Sequence, residues 1–225
     1  MSGYYRERLG GDRLRLVYEF ASDPVLEYLQ GEIDFLATRL APDQRILELG
    51  CGYGRVLKPL LPRVRSAWGI DSSAESVEYA RGFLGHAPTC RLLVMDARAT
   101  GFRSGVFDLV ACVQNGISAF GVDPLDLVGE ALRITRPGGR VIFSSYATEF
   151  WPHRLAWFEL QAAHGLVGEI DPERTGDGTI VCRDGFRATT FREDEFRMLA
   201  ASLGYDRPVL TTVGGSSVFC EIEKE

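Results

Sequence analysis

Three glycines spaced two apart, Gly50, Gly52 and Gly54, follow an acidic residue, Glu48, in the run ILELGCGYGR (46–55). A chain that gives up so much side chain where a strand meets a helix lets something approach its backbone closely. That visitor is either a ligand, met by bare N–H groups and the positive end of the next helix, or another piece of the chain. A dinucleotide fingerprint has its third glycine three residues after the second, and here it comes one residue early. The carboxylate of Glu48 would repel a pyrophosphate and suits a ligand that carries an ammonium or sulfonium group.

Two more acids fall at the ends of strand-like runs. Asp71 closes WGID (68–71), nineteen residues after Gly52, where a carboxylate can accept both hydroxyls of a ribose. Asp96 closes LLVMD (92–96), where it can accept from an adenine amino group. Alone, each reads as a turn or a helix cap. Three acids and a glycine loop at successive strand ends together describe a site for adenosine joined to a cationic tail. His153 is the neutral-pH base just beyond the fifth strand and the candidate general base. His86 and His164 fall near helix ends.

The elements that must position these groups alternate. The stretch 23–40 places Val25, Leu26, Leu29, Ile33, Leu36 and Leu40 at helical spacing, with Asp23 as N-cap and Pro24 at the first position. RILEL, SAWGI, CRLLVM and the near-continuous apolar run FDLVACV (107–113) predict strands, separated by the helical stretches GRVLKPLL and SAESVEYARGFL. PLDLVGEALRIT (124–135) predicts a helix ended by RPGG, and RVIFSSY (140–146) a fifth strand. Repeated units of this length imply a parallel sheet with helices on both sides. After residue 146 come an aromatic-rich segment leading into a helix, a hairpin around Asp184-Gly185, a helix closed by Gly204, and a hairpin turning at Gly214-Gly215.

Composition bounds the rest. The 225 residues are 45% hydrophobic and 25% charged, ordinary values for one globular domain. The formal net charge is −6 with no Lys/Arg cluster, so nucleic acid is not the expected partner. No run approaches membrane-spanning length and the first residues lack a signal-peptide core, so no membrane partner and a cytoplasmic location are expected. Cys51, Cys90, Cys112, Cys182 and Cys220 lie far apart without CxxC spacing. That argues against a disulfide framework or zinc site, and no metal is expected.

The run ILELGCGYGR, with WGID, MDAR, FDLVACVQN and LRITRPGGRVIFSSY after it in order, resembles the motifs of class I S-adenosylmethionine-dependent methyltransferases over roughly residues 42–146. The resemblance implies S-adenosyl-L-methionine as cofactor. It also implies a doubly wound α/β fold with a mostly parallel seven-stranded sheet, order 3-2-1-4-5-7-6, strand seven antiparallel. One domain over 1–225 is expected: a helical cap (1–41), a cofactor-binding core (42–146), an insertion with a hairpin (147–192), and a closing helix and hairpin (193–225). By the same resemblance, Gly50, Gly52 and Gly54 would line the methionine part of the cofactor, with Glu48 near its amino end. Asp71 would hold the ribose with Ser72 helping. Asp96 and the Ala97 amide would meet the adenine. Val113 and Gln114 would flank the methionine moiety, and Asn115 would sit near the transferred methyl.

Substrate choice falls to the parts outside the core. These are the N-terminal segment with Tyr4, Tyr5, Tyr18 and Phe20, and the insertion with Phe150, Trp151, His153 and Trp157. Tyr18 and Trp151 are the candidate substrate contacts; Arg154 and Arg187 could meet an acidic substrate, but exposed arginines are common and neither is assigned. Aromatics without a basic groove favour a small-molecule methyl acceptor. Two alternatives stay open: a nicotinamide-dependent oxidoreductase, and a non-catalytic module that binds the same cofactor.

Overall fold

The computed structural model describes Tyr4 and residues 8–225; Tyr5 lies outside the described residues. Among the described residues, helices α1 (Asp12–Glu19) and α2 (Asp23–Ala37) precede the first strand. The cap position of α2 is Ser22 rather than Asp23, which instead lies in the first turn, where its negative charge complements the positive end of the helix dipole. Then follow β1 (Arg45–Leu49), the one-turn helix α3 (Leu57–Leu60), β2 (Ser66–Asp71), α4 (Ala74–Leu84), β3 (Cys90–Val94) and β4 (Phe107–Cys112). Helix α3 is short because Pro59 and Pro62 lack amide donors, and the chain tightens into a 3-10 turn at Leu61–Arg63. Helix α4 is capped by the Ser73 hydroxyl, which accepts from the Ser76 amide at 3.2 Å.

A one-turn helix α5 (Gly116–Ala119) follows β4, then α6 (Pro124–Ile134) and β5 (Thr135–Tyr146). Strand β5 starts five residues earlier than its apolar run. Phe107 pairs with Thr135 but Leu109 pairs with Arg140, so the RPGG segment bulges out between two paired stretches. Helix α7 (Trp151–Ala163), the hairpin β6 (Thr179–Val181) and β7 (Arg187–Thr189), helix α8 (Glu193–Ser202), and β8 (Val209–Val213) with β9 (Ser217–Glu223) complete the chain.

The seven-stranded sheet has the order β3-β2-β1-β4-β5-β9-β8, with β9 antiparallel to β5. This is the expected winding, because β8 and β9 are the sixth and seventh strands once the separate β6-β7 hairpin is set aside. The chain winds outward from β1 to β3, then restarts at β4 on the other side of β1. Ligands bind in such sheets at the crevice between the two strand ends where winding reverses, here β1 and β4.

Alternate residues of β1 serve opposite faces. Leu47 and Leu49 pack with Val110, Phe143 and helix α6 on one side, and Ile46 packs with Leu36, Leu57 and Ile142 on the other. A third cluster joins Val17, Tyr28, Trp157, Phe158, Ile180 and Phe186 over Tyr146, at the carboxyl end of β5. Helices α1 and α7 and the small hairpin are therefore held together above the ligand edge. Among the described residues no helix is long and apolar enough to cross a membrane.

Candidate cofactor and acceptor site

The glycine loop is tied onto the neighbouring strand. The Gly50 and Cys51 amides both donate to the Ile70 carbonyl, at 2.8 and 2.9 Å, and the Gly52 amide donates to Asp71 Oδ2 at 2.9 Å. Asp71 Oδ1 accepts from the Ser73 amide at 2.8 Å. Burial raises the Asp71 pKa, while the amides of Ser73, Gly52 and Ser72 pull it back. A carboxylate has more lone pairs than these amides occupy, and Asp71 with Ser72 lines the cavity described below, so acceptor capacity faces a ligand.

The three glycines have different surroundings. Gly50 lines the cavity at φ +72°, and a Cβ there would fall 2.3 Å from the Phe120 ring. Gly52 and Gly54 do not line the cavity: a Cβ at Gly52 would meet Leu14 of α1 at 2.7 Å, and one at Gly54 would meet Leu84 of α4 at 3.1 Å. The expectation that all three face a ligand is therefore corrected. Their left-handed backbone turns the chain sharply, and two of them admit neighbouring side chains.

Glu48 also departs from its expected place. It shares the pleat face of Ile46, away from the cavity, among Leu36, Leu57 and Leu60. Its Oε2 has no hydrogen-bond partner, and burial pushes its pKa up to about 8 against the pull of Arg55. Glu32 of α2, fully buried, lies within the same field, its pKa pushed up to about 6 by burial and held back by its Ser144 hydrogen bond and by Arg55.

Beyond β4 the chain bends sharply. Gln114 and Asn115 both adopt left-handed backbone, φ 57° and 59°, a conformation non-glycine residues hold only when their surroundings compel it. The Gln114 amide donates to Ser144 Oγ at 2.8 Å and Glu32 Oε1 at 3.0 Å. Its side-chain Oε1 accepts from Tyr18 and from Arg55, both at 2.9 Å. Asn115 donates to the Thr189 carbonyl at 3.0 Å and accepts from Ser145 at 2.7 Å. These bonds pin α1, α2, β5 and the small hairpin to one bend.

A cavity of about 540 Å³ runs along this edge. One end is lined by Gly50, Asp71, Ser72, Asp96, Ala97, Val113, Gln114 and Asn115, so eight of the eleven expected cofactor contacts share one space. Asp96 is exposed and held by Arg98, whose Nη2 approaches its Oδ2 at 2.6 Å; the Arg98 hydrogen bond lowers the Asp96 pKa. The other end is walled by Tyr18, Tyr146, Trp157, Phe158 and Phe186, with Gln161 and Arg187 as polar members. Tyr18, the candidate substrate contact, lines this end, and burial raises its hydroxyl pKa.

Two expectations fail on helix geometry. Helix α7 buries Arg154, Trp157, Phe158 and Gln161, the i, i+3, i+4, i+7 spacing that marks its inner face. His153 falls on the outer face and is exposed, and neither His153 nor Trp151 lines the cavity. Trp157 takes the position expected of Trp151, its Nε1 donating to the Val17 carbonyl at 2.9 Å. The inner-face spacing was available in the sequence and would have singled out Gln161, which was not anticipated; nor was Phe120. Among the described residues no group of three His, Cys, Asp or Glu side chains could hold a metal, and all five cysteines are free thiols.

The lining fits an adenosyl ligand with an aliphatic tail: an acceptor carboxylate at the tip of β2, a second on the next strand tip, and a side-chain-free surface at Gly50. Comparisons agree with that chemistry. A family model described as "Methyltransferase domain" matches residues 46–139. Bovine EEF1A lysine methyltransferase 4 is 34% identical over 151 residues, covering 59% of this chain and 56% of the relative. The 2-methyl-6-phytyl-1,4-hydroquinone methyltransferase of Synechocystis is 28% identical over 146 residues, covering 60% of this chain and 45% of the relative. The chain thus spans about half the length of the curated relatives it matches. The crystal structure of magnesium protoporphyrin IX methyltransferase from Synechocystis with bound SAH superposes with a TM-score of 0.65 at 18% identity, covering 100% of this chain and 97% of that one. At that identity the likeness is one of fold.

Proposed function

We propose that the chain is a class I S-adenosylmethionine-dependent methyltransferase, a reading supported by the methyltransferase-domain match over residues 46–139, and that it methylates a small molecule held between the strand tips and the aromatic wall. The observation that supports this reading is the continuity of the cavity, which reaches from Asp71 and Asp96 to Trp157 and Phe186 without a change of space. Asp71 accepts the ribose hydroxyls, Asp96 the adenine amino group with the Ala97 amide beside it, and Gly50, Val113 and Gln114 flank the methionine portion. Asn115 stands where cofactor and acceptor meet.

The cofactor supplies an electrophilic methyl group and its own leaving group. The chain's residues align the partners and exclude water, a contribution of about 7 to 11 kcal/mol when orientation is well fixed. The bend at Gln114-Asn115 does this positioning: its backbone is set by Glu32 and Ser144, and its side chains tie down Tyr18 and the hairpin.

The test is methyl transfer by the purified chain from labelled cofactor to a small-molecule extract and, separately, to protein and RNA. Label entering small molecules supports the reading. Label entering protein lysines instead supports the second reading, which the bovine relative favours. Cofactor binding without transfer to any acceptor would support a non-catalytic module.

A further inference from the structure

Resting on the reading that the cavity holds a methyl donor and its acceptor, we propose that the acceptor is a flat aromatic oxyanion, ionised before it binds. Three observations carry this. First, among the described residues no proton acceptor lines the acceptor end. Its titratable members are Tyr4, Tyr18, Tyr146 and Arg187. Burial raises all three tyrosines, Tyr4 and Tyr146 to about 12, so none is a base near neutral pH. Asp71 and Asp96 line the opposite end and are engaged by amides and by Arg98. Glu32, Glu48 and His153 do not line the cavity. An amine would arrive as an ammonium ion with its lone pair blocked, and a neutral alcohol would keep its proton. An oxyanion needs no base.

Second, two side chains at this end, Gln161 and Arg187, bring N–H donors to it. Gln161 lines the cavity at 2% exposure, and its Nε2 is buried without a hydrogen-bond partner. A buried donor of this kind calls for an acceptor atom. Arg187 lines the same end, and the Arg154 guanidinium lies 4.3 Å from the centre of the Tyr146 ring, which walls it. Third, the remaining walls are rings, with Tyr18 and Trp157 centred 6.1 Å apart and Phe158 and Phe186 5.5 Å apart. Such faces match a planar apolar body.

The transfer then balances without moving a proton. An oxygen lone pair forms the new C–O bond as the C–S bond breaks; sulfur keeps that electron pair and becomes a neutral thioether, and the negative charge on oxygen is discharged.

The experiment uses the whole chain saturated with S-adenosylhomocysteine, titrated calorimetrically with 2-naphthoate and 4-nitrophenolate, and with 2-naphthylmethanol and 2-naphthylmethylamine as neutral and cationic counterparts. At least one anion should bind tenfold or more tighter than the alcohol and the amine; which of the two does so separates carboxylate from phenolate chemistry. Gln161→Glu, Gln161→Leu and the exposed-site variant Arg187→Ala should each weaken that anion severalfold. Equal or tighter binding of the alcohol or amine, indifference of the anion to all three variants, or no binding of any probe at millimolar concentration overturns the proposal. Failure of the underlying reading looks different: S-adenosylhomocysteine itself would then give no heat.

Discussion

Asp71 Oδ2 accepts the Gly52 amide at 2.9 Å, so the carboxylate at the tip of β2 also holds the glycine loop at the tip of β1. One side chain thus serves two purposes, shaping the loop and facing a ligand. Asp71→Asn keeps the volume but turns an amide NH2 toward one of two backbone donors. The expected cost is about 1–3 kcal/mol in unfolding free energy, the usual penalty of a buried unpaired donor. A tenfold or greater loss of affinity for S-adenosylhomocysteine should accompany it. Denaturant titration and calorimetry on the same preparation check both.

Gly50 combines a left-handed backbone with the contact of Phe120. Gly50→Ala should destabilise by roughly 1–2 kcal/mol from the backbone alone, with the ring clash added. Combining it with Phe120→Ala should remove the clash but not the backbone part. Thermal unfolding of the single and double variants separates the two; a double variant fully additive in its losses would show that the ring and the glycine are not coupled.

Buried carboxyls set a pH dependence. In the folded chain Glu48 titrates near 8 and Glu32 near 6, both above the ordinary value of 4.5. Between 4.5 and 8 the folded state holds protons that the unfolded chain has released, so stability falls as pH rises through that window. Each unit of displacement corresponds to about 1.4 kcal/mol, which puts the fall on the order of a few kcal/mol. Glu48→Gln should flatten the curve above pH 6. Urea midpoints at pH 5, 6.5 and 8.5 decide it, and parallel curves for the two proteins would contradict the assignment.

His153 is exposed on the outer face of α7, so His153→Ala should change neither turnover nor unfolding free energy by more than about 0.5 kcal/mol. Tyr18→Phe, which removes the bond to Gln114, should cost about 0.5–1.5 kcal/mol. If turnover followed His153 instead, the base-free transfer assigned to this cavity would be wrong.

The fold could be read from the sequence wherever local pattern and tertiary role coincide. The apolar run over 107–113 contains β4 (Phe107–Cys112), a strand covered on both faces, and Asp184-Gly185 and Gly214-Gly215 are turns by their own conformational preferences. Side-chain direction was harder. Glu48 precedes the glycines in sequence, yet the pleat sends it to the face away from the cavity. Trp151 and Trp157 look equivalent as aromatics, and only the docking of α7 makes the second the inner one. The early start of β5 depends on a bulge that no apolar periodicity records. Gln161 was legible in principle, as a polar residue on an otherwise apolar helix face.

The most direct measurement is a calorimetric titration of the wild-type chain with S-adenosylhomocysteine. A single saturable site, weakened by Asp71→Asn, is the expected result. Silence from that ligand and from S-adenosylmethionine, together with a rise in melting temperature on adding NADH, would place the chain among nucleotide-binding oxidoreductases instead.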